Sequence, residues 1–339
     1  MCDADDVEIF EFGDTLNHRR TLIVGLGLAC MPLAVRAQLQ RKVYRIGVLE
    51  AIPAAQNKTN LDALRDGLKS LGYVEGANLV IVYRSADGHA ERFPELASEL
   101  VRLNVDLIIT RGTPAARSAK RATETIPVIM ATMGDPRAIV ASFARPGGNI
   151  TGVTTFSTEL TAKRLELLQE LVPQLARVAL LHNMGNPAAP PEWEETRTAA
   201  RVLGLQAQLL DVRSDHDILD ALDRARREEV GALLIGADGL TQMHLQRIVD
   251  LVARSKIPAA YPAREFVEAG GLIAYAVNYP ALYFRFATYV DRILKGARPG
   301  DLPVEQPAKF ELVINMRTAK AFGIAVPQSL LIRADALIE

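Results

Sequence analysis

From Tyr44 onward the chain alternates short, nearly uninterrupted apolar runs with amphipathic stretches, and this constrains the fold more than any other feature. YRIGVLE (44–50), NLVIVYR (78–84), VDLIIT (105–110) and PVIMAT (127–132) read as strands. Strands this apolar lie in parallel sheets whose two faces are covered by helices. The intervening segments supply those helices. Leu61, Leu64, Leu68 and Leu71 fall on one face of a helix over 60–71, which Gly72 closes in the left-handed conformation that glycine tolerates. A second helix is predicted over 93–103, and Pro114 sits just inside the start of a third, where a missing N–H costs nothing.

The same grammar runs a second time from Thr158. Strands are predicted at RVALLHN (177–183), LQAQLLDV (205–212), VGALLIG (230–236), IPAAYP (257–262) and GLIAYAV (271–277). Helices are predicted over 160–171, 193–203, 217–228, 241–255 and 281–295, with a short one around Glu265. Between the two series, ARPGGNITGVTTF (144–156) breaks regular structure and forms the natural crossover. The tail after 300 is too short for a third domain, so its strand-like pieces around Val304 and 310–314 are expected to complete the two sheets. The expected division is 43–154 plus about 279–306 for the first lobe, and 155–278 plus about 307–339 for the second.

The segment before this domain reads differently. Arg19 and Arg20 precede an apolar run from Leu22 to Val35, and Val35-Arg36-Ala37 ends it with small residues at the recognition positions. That is the pattern of a cleavable secretory signal over 1–37. The run has 14 residues, short of the roughly 20 that span a bilayer, and Pro32 interrupts it. Export to the periplasm with cleavage after Ala37 is therefore expected. The acidic stretch Met1 to Leu16 does not suit such a leader and points to initiation at Leu16. Gly27-Leu28-Ala29-Cys30 only partly matches a lipoprotein box, and the arginine pair fits a twin-arginine signal loosely. Cleavage would remove both cysteines, leaving no thiol chemistry, and would turn the net charge from −1 to +2 by removing three basic and six acidic residues. Neither charge provides the basic surface on which nucleic-acid binding depends.

Catalytic motifs are missing: the sequence has no G-x-S-x-G elbow, Walker loop or His-Glu-x-x-His, and its histidines have no ligand spacing. Polar residues instead gather at the carboxyl ends of the predicted strands, the edge at which open α/β sheets bind ligands. They are Glu50, Thr110-Arg111-Gly112-Thr113 and Thr132-Met133-Gly134-Asp135, then His182-Asn183, Asp238, Tyr261 and Tyr275, with Asn278 beyond. Thr155, in the crossover, and Glu265 join the candidate ligand-binding set. A hydroxyl at a helix start, as at Thr113, suits a carboxylate, and Asp238 could face an ammonium, so the set fits an amino acid. Each residue also has a structural reading. Thr113 can cap the helix at Pro114, Asp135-Pro136 and Asp238-Gly239 can form turns, and Tyr261 and Tyr275 can pack at an interface. Arg264 and Glu265 can be a solvated pair.

TRGTPAARSAKRATETIPVIMATMGDP, ARPGGNITGVTTF, AREFVEAGGLIAYAVN and KGARPGDLPVEQPAKFELVINMRTAKAFGIAVPQSLLIRAD together resemble the ABC-transporter substrate-binding protein family, in the branch that includes tryptophan/tyrosine-type binding proteins. The resemblance runs from about Tyr44 to the C-terminus. It implies an α/β type I periplasmic binding-protein fold: two doubly wound parallel-sheet lobes joined by a multi-crossover hinge, closing on a ligand. It implies no catalysis and no cofactor or metal. The partners it implies are a small-molecule ligand, an ABC permease and its ATPase subunits, and the expected state is a monomer. Thr113 in GTPAA and Asp135 in GDP match the family's first-lobe ligand loops, and Tyr261 and Glu265 match the segment before FVEAGG. Asp238 matches an acidic position that the family usually places in a P-D-P-like turn, whereas here the string is GADGL. A sensor subunit for a kinase or chemoreceptor is the alternative on the same scaffold. An α/β enzyme using Asp135 or Glu265 would lack a partner base, and a repressor would lack a helix-turn-helix.

Overall fold

The computed structural model describes residues 42–339 apart from 133–135, 137–138, 156 and 308–309. The predicted signal segment and Asp135 therefore lie outside the described residues. The first series builds β1 (Tyr44–Glu50), α1 (Lys58–Ser70), β2 (Leu79–Ser85), α2 (Phe93–Arg102), β3 (Leu107–Arg111), α3 (Thr113–Ala122), β4 (Val128–Thr132) and β5 (Ile150–Thr154). These strands form one parallel sheet in the order β2-β1-β3-β4-β5.

The second series continues with α4 (Ser157–Leu171), β6 (Arg177–His182), α5 (Ala189–Val202), β7 (Gln206–Asp211), α6 (Asp215–Arg227), β8 (Ala232–Ile235), α7 (Gly239–Met243), α8 (Leu245–Ser255), β9 (Ala259–Tyr261), α9 (Arg264–Glu268) and β10 (Ile273–Val277). After α10 (Tyr279–Leu294), the tail adds β11 (Phe310–Asn315), α11 (Met316–Phe322), α12 (Gln328–Arg333) and β12 (Ala336–Ile338). The second sheet runs β12-β11-β10-β9-β8-β6-β7, parallel except where β11 lies antiparallel to β10.

Alternate side chains of each strand enter different cores, which is why the strands read as continuously apolar. On one face of the first sheet Ile46, Val48, Leu107 and Ile109 are buried, and on the other Leu49, Ile108 and Met130. The second sheet repeats this with Ala179, Leu181 and Leu233 against Val178, Leu180 and Leu234. Both are doubly wound.

Three stretches of chain connect the lobes. β5 leads into α4, β10 leads into α10, and the segment before β11 returns from the first sheet, where Glu305 bridges Val153 in parallel. α10 crosses back to pack along α1. At Gly67 the approach is so close that a Cβ would stand 2.6 Å from the Phe284 carbonyl oxygen. From α10, Tyr283 reaches the end of β1 and donates its hydroxyl to Glu50, so one of the crossings ends in the cleft.

Three local readings are corrected. The helix expected over 241–255 is two helices, because Asp238 and Thr241 form a reciprocal capping box that starts α7 early, and α7 ends at Met243 with His244 as the break before α8. α5 begins at Ala189 rather than Trp193, since Pro190 and Pro191 fall in its first turn. Thr113 does not cap α3: the N-cap is Gly112, and no side chain there accepts from the first amides.

Candidate ligand-binding cleft

The carboxyl-terminal edges of the two sheets face each other across a narrow cleft whose free space is about 30 Å³, room for a water or two. The first lobe lines it with Glu50, Ala51 and Ile52 after β1, Gly88, Ala90 and Phe93 after β2, and Arg111, Gly112 and Pro114 at the β3–α3 turn. Asn186 and the start of α7, from Asp238 to Leu240 with Gln242, line it from the second lobe.

Glu50 is 1 % exposed and fully engaged. Tyr283 and Asn57 donate to its Oε1, Asn57 at 3.1 Å, and the Ala51 amide donates to Oε2 at 3.2 Å. Burial pushes its carboxyl above the usual range, and the nearby Arg111 cation opposes that rise. Arg111 itself is 5 % exposed, with its guanidinium 3.9 Å over the Tyr279 ring. Burial works against its charge, but its surroundings, Tyr279 and Glu50 foremost, outweigh burial and hold its pKa above the ordinary value.

Across the cleft Asp238 is 5 % exposed. It accepts from the Leu240 amide at 2.8 Å, from Asn186 Nδ2 at 2.8 Å and from Asn183 Nδ2 at 3.3 Å. It is thus a helix cap and a cleft-lining anion at once.

The lobes touch along the cleft lining. Ala51 lies against Gly239, where a Cβ would stand 2.6 Å from the alanine methyl. Gly88, held in the left-handed region at φ +83, lies against Met243, whose Cβ would be 3.2 Å from an added Cβ. Glycine lets the two backbones approach where any side chain would hold them apart.

The sequence-derived candidates separate into groups. Glu50 and Asp238 line the cleft. Asn183 stands behind Asp238 and orients it. Thr110 and Thr113, at the β3–α3 turn, are buried, and among the described residues neither hydroxyl has a hydrogen-bond partner. Thr132 ends β4, and Thr155, which follows β5, is buried. Tyr261 is a core residue, 1 % exposed and stacked on Phe266 with ring centroids 5.2 Å apart. Tyr275 packs on Phe310 at 5.8 Å, while its carbonyl accepts from Arg164. Neither tyrosine lines the cleft, because both side chains point into the packing around the second sheet.

Glu265 is half-buried on α9, and Arg264 pairs instead with Glu268 and Glu311. His182 does not face the cleft: it is fully buried, its Nε2 3.2 Å from Glu192 Oε2. Arg111, Asn186 and Gln242 are polar cleft residues that sequence reasoning passed over. Arg111 stood in the string TRGT but was outranked by its threonines, and Asn186 carries no signal until the loop folds.

Two doubly wound lobes meeting at a charged cleft at their carboxyl-terminal edges define a two-lobed solute-binding protein of the type I periplasmic class. Residues 45–338 match the family described as ABC transporter substrate binding protein, and the chain belongs to that family. It is similar to a tyrosine-binding protein of Clostridioides difficile strain R20291, with 24 % identity over 290 residues, covering 84 % of this chain and 82 % of the relative. A Streptococcus pneumonia ABC domain solved in complex with L-Trp superposes with TM-score 0.81 at 27 % identity, over 88 % of this chain and all of the other. A conserved domain protein from Vibrio cholerae superposes equally well, with TM-score 0.81 and 27 % identity over 87 % of this chain and 100 % of that one. Among the described residues no helix is long and apolar enough to cross a membrane.

Proposed function

We propose that the chain is the exported, monomeric solute-binding component of an ABC importer. It traps an amino acid between its lobes and passes it to a membrane permease served by separate ATPase subunits. The observation that carries this reading is the cleft itself: opposite charges, Arg111 and Asp238, are presented from opposite lobes, so a zwitterion can satisfy both only when the lobes are closed. Ligand contacts that exist only in the closed state shift the open–closed equilibrium toward it. Two relatives that bind tyrosine and tryptophan favour an aromatic side chain, for which Ile52, Phe93, Pro114 and Leu240 offer an apolar wall. The lobe boundaries follow the crossings near 155, 278 and 306. Thr110, Thr113, Thr132 and Thr155 belong in this reading to the first-lobe side of the site.

A thermal-shift screen of the purified chain against amino acids tests it. A ligand at 100 times its Kd adds about 2.7 kcal/mol to the folded state. A raised midpoint with Trp, Tyr or Phe is the expected result, and a flat response to every amino acid would refute the assignment.

A further inference from the structure

Arg111 and Arg164 are the two arginines that are almost wholly buried among the described residues, at 5 % and 2 % exposure, and they are not equivalent. Arg164 donates to the Tyr275 carbonyl at 2.9 Å and lies 3.9 Å from Glu192. Among the described residues the Arg111 guanidinium has no hydrogen-bond acceptor and no carboxylate within ion-pair distance. Its Nη1 is buried without a partner. Its surroundings favour the charge, but a buried donor without an acceptor is costly, so this guanidinium at the cleft wall is placed to take an anion from a ligand.

The neighbouring groups show what kind of anion fits. Glu50 favours the charge from nearby but makes no ion pair with it, its oxygens being engaged by Tyr283, Asn57 and the Ala51 amide. Tyr279 covers one face of the guanidinium, leaving the in-plane N–H donors as the recognising edge. That edge matches a planar carboxylate bidentately. The next residues in the chain begin α3, ten residues long, whose first amides receive no side-chain cap and whose Thr113 hydroxyl has no partner among the described residues. The positive end of that helix adds to the same preference. The opposite wall is different. Asp238 already accepts three hydrogen bonds, so its need for an ammonium is partly met from within the protein.

From this asymmetry we infer that the ligand is selected by its carboxylate, held by Arg111 at the start of α3, and that the amino group contributes less. The ligand class is then the small carboxylic acid with an apolar body, α-amino acids included. The inference rests on the cleft-binding reading above and adds an order of importance within it.

The test compares L-tryptophan and L-phenylalanine with their carboxamides and with the deaminated acids indole-3-propionate and 3-phenylpropionate, with sorbitol as a neutral polyol. Binding is measured by calorimetry on the wild-type chain and on Arg111→Gln. In the wild type the amides are expected to bind about 10- to 150-fold more weakly than the acids, the range for a charged hydrogen bond. The deaminated acids should lose less than the amides. Arg111→Gln should weaken the acids by a similar factor while leaving the amides nearly unchanged, so that the acid–amide preference collapses. A general loss of folding would not produce that collapse, and the wild-type comparison does not depend on the variant. Amides or sorbitol binding as tightly as the acids would overturn the inference and leave cleft binding intact. No binding of any of these compounds would overturn both the inference and the reading beneath it.

Discussion

Gly239→Ala isolates lobe closure from ligand contact. A Cβ at this position stands 2.6 Å from the Ala51 methyl in the closed arrangement, against the roughly 3.5–4.0 Å at which two carbons rest. The lobes must therefore stop about 1 Å short at this point or strain the backbone. Overpacking of this kind costs about 1–3 kcal/mol. The cost falls on the closed state alone, since the open lobes leave the methyl in solvent. Gly239 is the first residue of α7 and its φ lies outside the left-handed region, so alanine meets no backbone penalty there. The ligand-free chain should accordingly keep its thermal midpoint or gain slightly, as helical Gly→Ala changes do.

Affinity for the amino acid found by the screen should fall roughly 5- to 150-fold by calorimetry. Adding Ala51→Gly moves the methyl from one lobe to the other. The new Cβ then meets the Cα of residue 51 at 3.9 Å, an ordinary contact, and affinity should return to near the wild-type value. An unchanged Kd for Gly239→Ala would refute the contact between the lobes. A loss that Ala51→Gly does not repair would place the effect elsewhere than in this pair.

Two further predictions concern the buried cluster beneath Asn183. Glu192 receives Thr161 at 2.9 Å, lies 3.2 Å from His182 and 3.9 Å from Arg164, and is 1 % exposed. Glu192→Leu strands a buried guanidinium and should destabilise the fold by about 3–5 kcal/mol in urea unfolding; a loss below 1 kcal/mol would show that Arg164 finds another partner. The second concerns pH. Burial opposes a charge on His182, but the hydrogen bond and charge of Glu192 outweigh it, with Asp238 and Asp211 adding to the pull, and its pKa is raised. A proton held more tightly in the folded than in the unfolded state stabilises the fold. That contribution is complete below the unfolded value of about 6.5 and is lost as pH rises through the higher folded value. Denaturant midpoints measured across that window should fall in the wild type and stay flat, relative to it, in His182→Gln.

Much of the fold was legible because its physical causes are local. The apolar runs of β1, β3, β4, β6 and β8 announce strands covered on both faces, and the leucine stripe of α1 announces a helix, whatever surrounds them. The strand-end rule also found Glu50 and Asp238, since a parallel strand delivers the residue after its carboxyl end to the ligand edge. The rule could not say which way an aromatic points. Tyr261 and Tyr275 occupy strand positions of the kind that line clefts, and their side chains turn into the core against Phe266 and Phe310.

The sequence by itself determined two doubly wound lobes, a hinge of several crossings and an edge where a ligand would sit, because periodicity and turn chemistry act over a few residues. Only the tertiary structure decided which charges in the cleft are satisfied. Arg111 and Arg164 look alike in the sequence, yet one is partnered by residues brought from 28 and 111 positions away, while the other lies over Tyr279 with Glu50 nearby and, among the described residues, no hydrogen-bond acceptor. Only the tertiary structure brought Ala51 to Gly239, since that contact depends on how one lobe is oriented on the other, and no local pattern encodes an angle between lobes.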